Sequence, residues 1–325
     1  MRALLYCAAF LFVAIALGVS FGTEPISLAH IFDSPDSIAR VTLLEVRLPR
    51  VLLGAIAGGG LAAAGVAFQA ILRNPLAEPY VLGVSGGAAL GATIAILFGA
   101  VATSLLGASL VPLAALFGGV LATVLVYALV RSRGATSGSS ILLAGVVINA
   151  IASAIITFLK TLVSATKAQE LLQWLMGFLE VPSWTQIAFV LAYVVGGGIV
   201  LMADAGRLNL LALGDEGATH LGVDVRALER RTFFACSAVV GAIVSVTGLI
   251  GFIGLVVPHA LRRIFGPDVR LLLPASLLAG GATLVLCDLV SRLLFRVLYT
   301  QPPVGAVTAL LGGPLFLLLL RKRGL

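Results

Sequence analysis

The sequence predicts an all-α polytopic membrane protein with about ten transmembrane helices. Three observations carry that reading. The 325 residues are 60% hydrophobic and only 11% charged, with a mean hydropathy of +1.14, a composition outside the range of soluble domains. The apolar residues fall into runs near the roughly 20 that a helix needs to cross a bilayer. The basic residues lie in the gaps between these runs, and more of them lie on one side than on the other.

Taken in order, the runs are Ala3 to Ser20, Val51 to Leu72, Leu82 to Leu106, Val111 to Val130, Ile141 to Leu159, Ile187 to Ala203 and Thr232 to Ile250, then Phe252 to Val257, Leu271 to Cys287 and Val304 to Leu320. The eighth is too short for an ordinary crossing. The first has Arg2 ahead of it, as a signal peptide does. Its apolar part exceeds the usual h-region and no A-x-A site closes it, so a retained helix is expected.

With the N-terminus in the cytoplasm and one crossing per run, 14 of the 21 basic residues fall inside, among them Arg73, Arg133, Arg207, Arg270, Lys322 and Arg323. Arg40, Arg47, Arg50, Lys160, Lys167, Arg292 and Arg296 fall outside. This satisfies the positive-inside rule and puts both termini in the cytoplasm. The net charge of +7 therefore reads as topology and not as a nucleic-acid surface. Cys7, Cys236 and Cys287 stand singly in apolar runs, as buried small hydrophobes do.

Several chemistries find no residues. No lysine follows a glycine, so there is no phosphate-cradling loop of the G-x-x-x-x-G-K-[ST] kind. His30, His220 and His259 are far apart and form no metal-ligand pair. Within the runs Asp288 is the clearest buried acid and Asp204 lies nearer an end, too few for a proton relay.

Small residues recur four apart at Gly54/Gly58, Ala55/Gly59, Gly60/Ala64 and Gly87/Gly91, the spacing that lets helix backbones approach in lipid. In the fifth run Gly145, Asn149, Ser153, Thr157 and Thr161 form a slowly winding polar stripe. It reads either as interhelical glue or as the wall of a wet path. Thr308 and Gly312 make a weaker stripe in the last run. On the outer side, Arg47 and Arg50 of "RLPR" with Arg292 and Arg296 run against the charge rule. They pair either with lipid phosphates and Glu45, or they form an electropositive platform for an acidic partner.

The stretch "LALGDEGATHLGVD", Leu211 to Asp224, puts three acids into ten residues of an apolar chain. Asp215 is placed to cap a short helix, Glu216 favours its positive end, Gly222 suits a left-handed stop, and Asp224 is placed to cap the next helix. On residues alone a solvated loop is the plainer reading.

"RLPR", "GVAFQAILRNPLAEPYVLGVSGGA" (Gly65 to Ala88), "LLAG", "WLMG", "LGDEGATHLGV", "GLIGFIGLVVPHALRRIFGPD" (Gly248 to Asp268) and "PPVGAVTALLGGPLF" (Pro302 to Phe316) occur in the order seen in the FecCD family. The chain thus resembles, from about Arg47 to its end, the permease subunits of type II ABC importers for iron-siderophores, haem and vitamin B12. The resemblance implies one transmembrane permease domain over 1–325 with a cytoplasmic coupling loop at 205–231, in a homodimer in the bacterial inner membrane. It implies two cytoplasmic ATPase subunits that carry ATP and magnesium, a periplasmic binding protein, and no cofactor or metal held by this subunit.

Residue by residue, it assigns ATPase coupling to Leu211, Leu213, Gly214, Asp215, Glu216, Ala218, Leu221, Gly222 and Val223. It assigns binding-protein docking to Arg47, Arg50 and Arg292, and the translocation path to Gly145, Asn149, Ser153, Thr157, Thr308 and Gly312. Ser85 and Gly86 fall at the cytoplasmic gate region, where the small Gly86 is expected to widen the constriction. Gln301, Val269 and Gly217 depart from the family's usual residues. A secondary carrier or channel is the alternative of another class.

Overall fold

The computed structural model describes residues 2–24, 38–98, 104–105, 108–132 and 138–321. His30, Arg133, Lys322 and Arg323 of the sequence reading, and most of 99–107, lie outside the described residues. The chain forms α1 (Arg2–Ser20), α2 (Ile38–Val41), α3 (Leu48–Ile71), α4 (Val84–Leu97), α5 (Leu110–Ser132), α6 (Gly138–Thr161) and α7 (Ala165–Met176). These are followed by α8 (Trp184–Leu210), α9 (Gly214–His220), α10 (Val225–Thr247), α11 (Ile253–Phe265), α12 (Val269–Leu298) and α13 (Val304–Arg321). The strands are a two-rung antiparallel ladder, Ser104 opposite Ser109 and Leu105 opposite Ala108.

Seven of these helical stretches are long and apolar enough to cross a membrane, with α4 and α13 as shorter apolar helices. α11, which starts where the eighth run starts, completes the expected ten. Composition predicted neither the length of α4 nor the existence of α7. The run Leu82 to Leu106 yields a helix of only 14 residues. Its beginning is set by Gly83, whose φ of +90° ends a 3-10 turn at Pro79–Leu82. α3 is entered through a π-helical stretch, Thr42–Arg47. α8 begins on a full capping box, with Ser183 and Gln186 exchanging side-chain and backbone bonds.

The centre of the bundle is α3, enclosed by α8, α10, α11 and α12. Its small residues explain the closeness: a methyl group at Gly58 would overlap the carbonyl of Gly280 on α12, and one at Gly65 would overlap that of Gly254 on α11. Gly87 and Gly91 of α4 meet Gly118 and Ala114 of α5 in the same way. The four-apart spacing therefore reports backbone contact, as expected where helices share no hydrophobic drive to associate. Phe68 of α3 and Phe233 of α10, both fully buried, pack edge to face with centroids 5.9 Å apart. α1 is packed into the fold, with Ala14 and Cys7 buried. All three cysteines are buried and unpaired.

Two turns break the helices inside the bundle. The backbone at 248–252 has lost its helical bonds, and the turn at 78–82 supplies partners for it. Tyr80 Oη accepts from the Ile250 N–H at 2.8 Å, and Glu78 Oε1 accepts from the Phe252 N–H at 2.6 Å. Irregular backbone in a membrane protein persists only where protein satisfies it in this way.

Candidate translocation path and coupling segment

The polar stripe of α6 divides. Four residues advance a helix by about 400°, so each step of the stripe turns it by about 40° and three steps by about 120°. Gly145 therefore faces inward, where a methyl group would meet Leu82 Cα at 2.7 Å. Asn149, one step on, donates from Nδ2 to the Tyr80 carbonyl at 2.8 Å and accepts at Oδ1 from the Gly86 N–H at 3.0 Å. Ser153 and Thr157 have turned to the outside of the subunit and are exposed among Val146, Val147, Ala150 and Ala154. Thr157 Oγ1 donates to the Ser153 carbonyl and Thr161 Oγ1 to that of Phe158. Gly145 and Asn149 are thus glue, and Ser153 and Thr157 lie on an open wall.

The same test bears on two further expectations. Thr308 is buried and donates to its own helix at Gly305, while a methyl group at Gly312 would come within 2.7 Å of Phe252 Cβ. Both are buried and line an apolar groove of about 270 Å³ with Phe252, Leu311 and Leu315. Gly86 does not widen a constriction, because Asn149 occupies the space that a side chain at 86 would take. Its neighbour Ser85 is buried and donates to the Tyr80 carbonyl at 2.7 Å.

The outer arginines are engaged within the subunit. Arg47, 5% exposed, donates to the carbonyls of Val19, Ser20 and Glu24. Arg292, 4% exposed, donates to Gly18 and Phe21, and Arg296 donates to Gly22 and Thr23. Arg50 and Arg292 flank the buried carboxylate of Asp288 at 2.6 and 2.9 Å. A buried carboxylate needs such partners, and carbonyls released at the end of a helix need donors. Arg47, Arg50 and Arg292, expected to dock a binding protein, thus have partners inside the subunit: Arg47 and Arg292 fasten the end of α1, and Arg50 joins α3 to Asp288 of α12. Neither a lipid phosphate nor Glu45 is needed to account for them.

At the other end, the segment after α8 turns through a 3-10 turn, Leu211–Leu213, into α9. The helix begins at Gly214, whose φ of +88° makes the corner, so Asp215 lies in the first turn and does not cap it. Asp215 instead pairs with Arg73 at 3.1 Å. Gly222 takes the left-handed stop at φ +82°, and Asp224 Oδ1 caps α10 by accepting from the Ala227 N–H at 3.0 Å. The segment has two sides. Leu211, Ala218 and Val223 are buried against the subunit, whereas Leu213 and Leu221 are 64% and 58% exposed beside the exposed Glu216 and His220. The sequence grouped these apolar residues together; only the fold separates anchors from protruding ones. A side chain at Gly217 would touch Leu213 Cβ at 3.2 Å.

The base of this segment is braced. Asp204, buried, accepts from Arg207 and Arg231, and Asn209 ties α8 to α12 by donating to Asp268 at 2.6 Å and accepting from the Val269 N–H at 2.8 Å. The Asn209 amide and the Arg270 N–H hold the Asp268 carboxyl below its ordinary pKa. Sequence reasoning missed this brace, since nothing in the spacing of Asn209 and Asp268 brings them together. Val269 packs into the core, and Gln301 donates weakly to Ser291.

A bundle with seven helical stretches long and apolar enough to cross a bilayer is that of a multi-pass membrane protein. Residues 10–322 match the FecCD transport family, and the chain belongs to that family. It is 43% identical over 292 residues, 90% of this chain and 76% of the relative, to the cobalamin import system permease BtuC of Halobacterium salinarum. To the hemin transport system permease HmuU of Yersinia pestis it is 37% identical over 316 residues, 96% and 94% of the two chains. Among solved structures it resembles one described as an inward-facing metal-chelate type ABC transporter, with a TM-score of 0.88, 30% identity and 99% of each chain covered.

Proposed function

We propose that this chain is the membrane-spanning half of an ATP-driven importer that passes a bulky metal chelate, an iron-siderophore or haem, by alternating access. Two copies would meet along the faces that carry Ser153 and Thr157. The observation that carries this reading is the two-sided segment at 211–223. A subunit with no phosphate-binding loop presents two leucines and a glutamate outward on a short helix whose other side is anchored. That is the form of a lever seated in another protein, here two cytoplasmic ATPase subunits that hold ATP and magnesium.

The wall of α6 supports the cargo class. Thr157 donates its hydroxyl to its own helix at the Ser153 carbonyl, and the residues between the two are aliphatic. Such a surface slides past a large solute and holds none of its groups tightly, as transit requires. The chain then needs no bond-making chemistry of its own, and a periplasmic binding protein selects the cargo. Both termini lie in the cytoplasm in this reading, by the distribution of basic residues. A corrinoid is the second reading, favoured by the 43% identity to a permease named for cobalamin.

The test is uptake into proteoliposomes that contain this subunit and its cognate ATPase, with the binding protein outside. Uptake that depends on ATP and on the binding protein is expected. Uptake that proceeds on an ion gradient without ATP would establish a secondary carrier instead. The absorption spectrum of the ligand that co-purifies with the binding protein separates haem, ferric chelate and corrinoid.

A further inference from the structure

A groove of about 550 Å³ runs along the outside of the bundle between α1, α3, α8 and α12. Its wall is aliphatic, formed by Leu11, Ile56, Gly198, Met202, Leu273 and Leu277. At Gly198 the groove is open: a methyl group added there would meet nothing within 4 Å. All four helices belong to stretches with the length and apolarity of membrane spans. A cavity so poor in polar groups does not hold ordered water.

One helical turn beyond the end of the groove stands a cation. A turn beyond Met202 on α8 comes Gly206, and a turn before Pro274 on α12 comes Arg270. These two meet: a methyl group at Gly206 would lie 2.7 Å from Arg270 Nη2. Glycine leaves the space in which the guanidinium lies against α8 at this level. Arg270 is exposed. Its one acidic neighbour in sequence, Asp268, turns Oδ1 to the Asn209 amide and to the Arg270 backbone N–H at 3.0 Å.

A hydrocarbon groove with an exposed guanidinium one helical turn beyond its end has the two-part chemistry of a phospholipid. Aliphatic walls accept an acyl chain, and a guanidinium binds phosphate oxygens through paired N–H donors. We propose that this groove is a phospholipid site, with one acyl chain held between α1 and α8 and the phosphate on Arg270. The site is separate from the wall of α6, so it stands whatever the cargo proves to be. It gives α8, the helix that leads into the 211–223 segment, a lipid for a neighbour.

The full chain in nanodiscs, with phosphatidylglycerol carrying a photoreactive diazirine on its acyl chain, provides the test. After illumination, adducts are expected to concentrate on peptides that contain Ile199 to Met202 and Leu273 to Leu277. Gly198→Trp fills the groove and should abolish most of these adducts. Gly196→Trp is the control, because position 196 lies about 200° around the helix from 198, is equally open, and does not line the groove; its adducts should persist. A diacylglycerol probe without phosphate should label less well than the phospholipid, and Arg270→Gln should erase that preference, a change of about tenfold if one charge-assisted contact is lost. Labelling spread evenly over the lipid-facing helices, or unchanged by Gly198→Trp, would overturn the proposal. Equal labelling by both probes in the wild-type chain would remove the headgroup contact and overturn it likewise.

Discussion

Asn149 and Gly86 are fitted to one another: the Asn149 carbonyl oxygen receives the Gly86 N–H at 3.0 Å in space that a β-carbon at position 86 would fill. That bond fastens α6 to the first turn of α4, the Asn149 Nδ2 bond to the Tyr80 carbonyl fastens α6 to the turn at 78–82, and Tyr80 and Glu78 fasten that turn to residues 250–252. Phe252 in turn lies against Gly312 of α13. Within one subunit, then, α6 and α13 are linked through two turns that pack on each other. Gly86→Ala should destabilise the subunit by about 1–3 kcal/mol through overpacking, although alanine is the better helix former. Combining it with Asn149→Ala should recover part of that loss, and a double-mutant cycle on unfolding midpoints in detergent measures the coupling.

Asp288 should be the costliest single charge to remove at the far end of the bundle. Breaking a buried ion pair by deleting one partner typically costs about 3–5 kcal/mol. Asp288→Ala leaves two arginines facing each other, whereas Arg50→Ala leaves Arg292 still paired with the carboxylate. The yield of monodisperse protein and its unfolding midpoint should therefore fall further for Asp288→Ala than for Arg50→Ala.

The two sides of the 211–223 segment should separate by phenotype. Leu213→Asp with Leu221→Asp should leave the subunit as stable as wild type and abolish the stimulation of a cognate ATPase by the permease. Leu211→Asp, at a site 1% exposed, should lower stability itself, by the several kcal/mol that burying an unpaired carboxylate costs. If Leu211→Asp is stable and only uncoupled, the assignment of anchor and lever is wrong. Glu216→Lys with Leu221→Asp tests the same face and should uncouple hydrolysis from uptake.

The Arg73–Asp215 pair is partly exposed, with side chains 37% and 47% accessible, so it should add only about 0.2–1 kcal/mol to stability. Its importance is positional, since it joins the end of α3 to the first turn of α9. Arg73→Asp or Asp215→Arg alone should weaken coupled uptake, and the exchanged double variant should restore it at low salt. Failure of the exchange to restore uptake, with both proteins folded, would remove the pair from the coupling route.

The order of the long apolar helices was legible because burial in lipid demands long apolar runs, whereas the short α7 was not, and the four-apart glycines were legible because backbone contact tolerates nothing larger. The divided stripe on α6 follows from helix geometry once the facing turn is known, but no local pattern announces Tyr80 as the partner of Asn149. The brevity of α4 was hidden because its run is apolar on both sides of the helix end. The arginines misled for a different reason. An unexpected outer charge looks like a surface for partners, and nothing near Arg47 or Arg292 in the sequence discloses that the carbonyls at 18–24 await them.

That fastening has a consequence for biogenesis. The Gly18 carbonyl and the Arg292 guanidinium that receives it are 274 residues apart, which at roughly 5–20 residues per second is tens of seconds of synthesis. The anchorage of α1 is thus completed only when α12 has been made, long after α1 itself. Throughout that interval its trailing end lacks the donors of Arg292 and Arg296, so a nascent chain stalled before α12 carries an unfinished helix end.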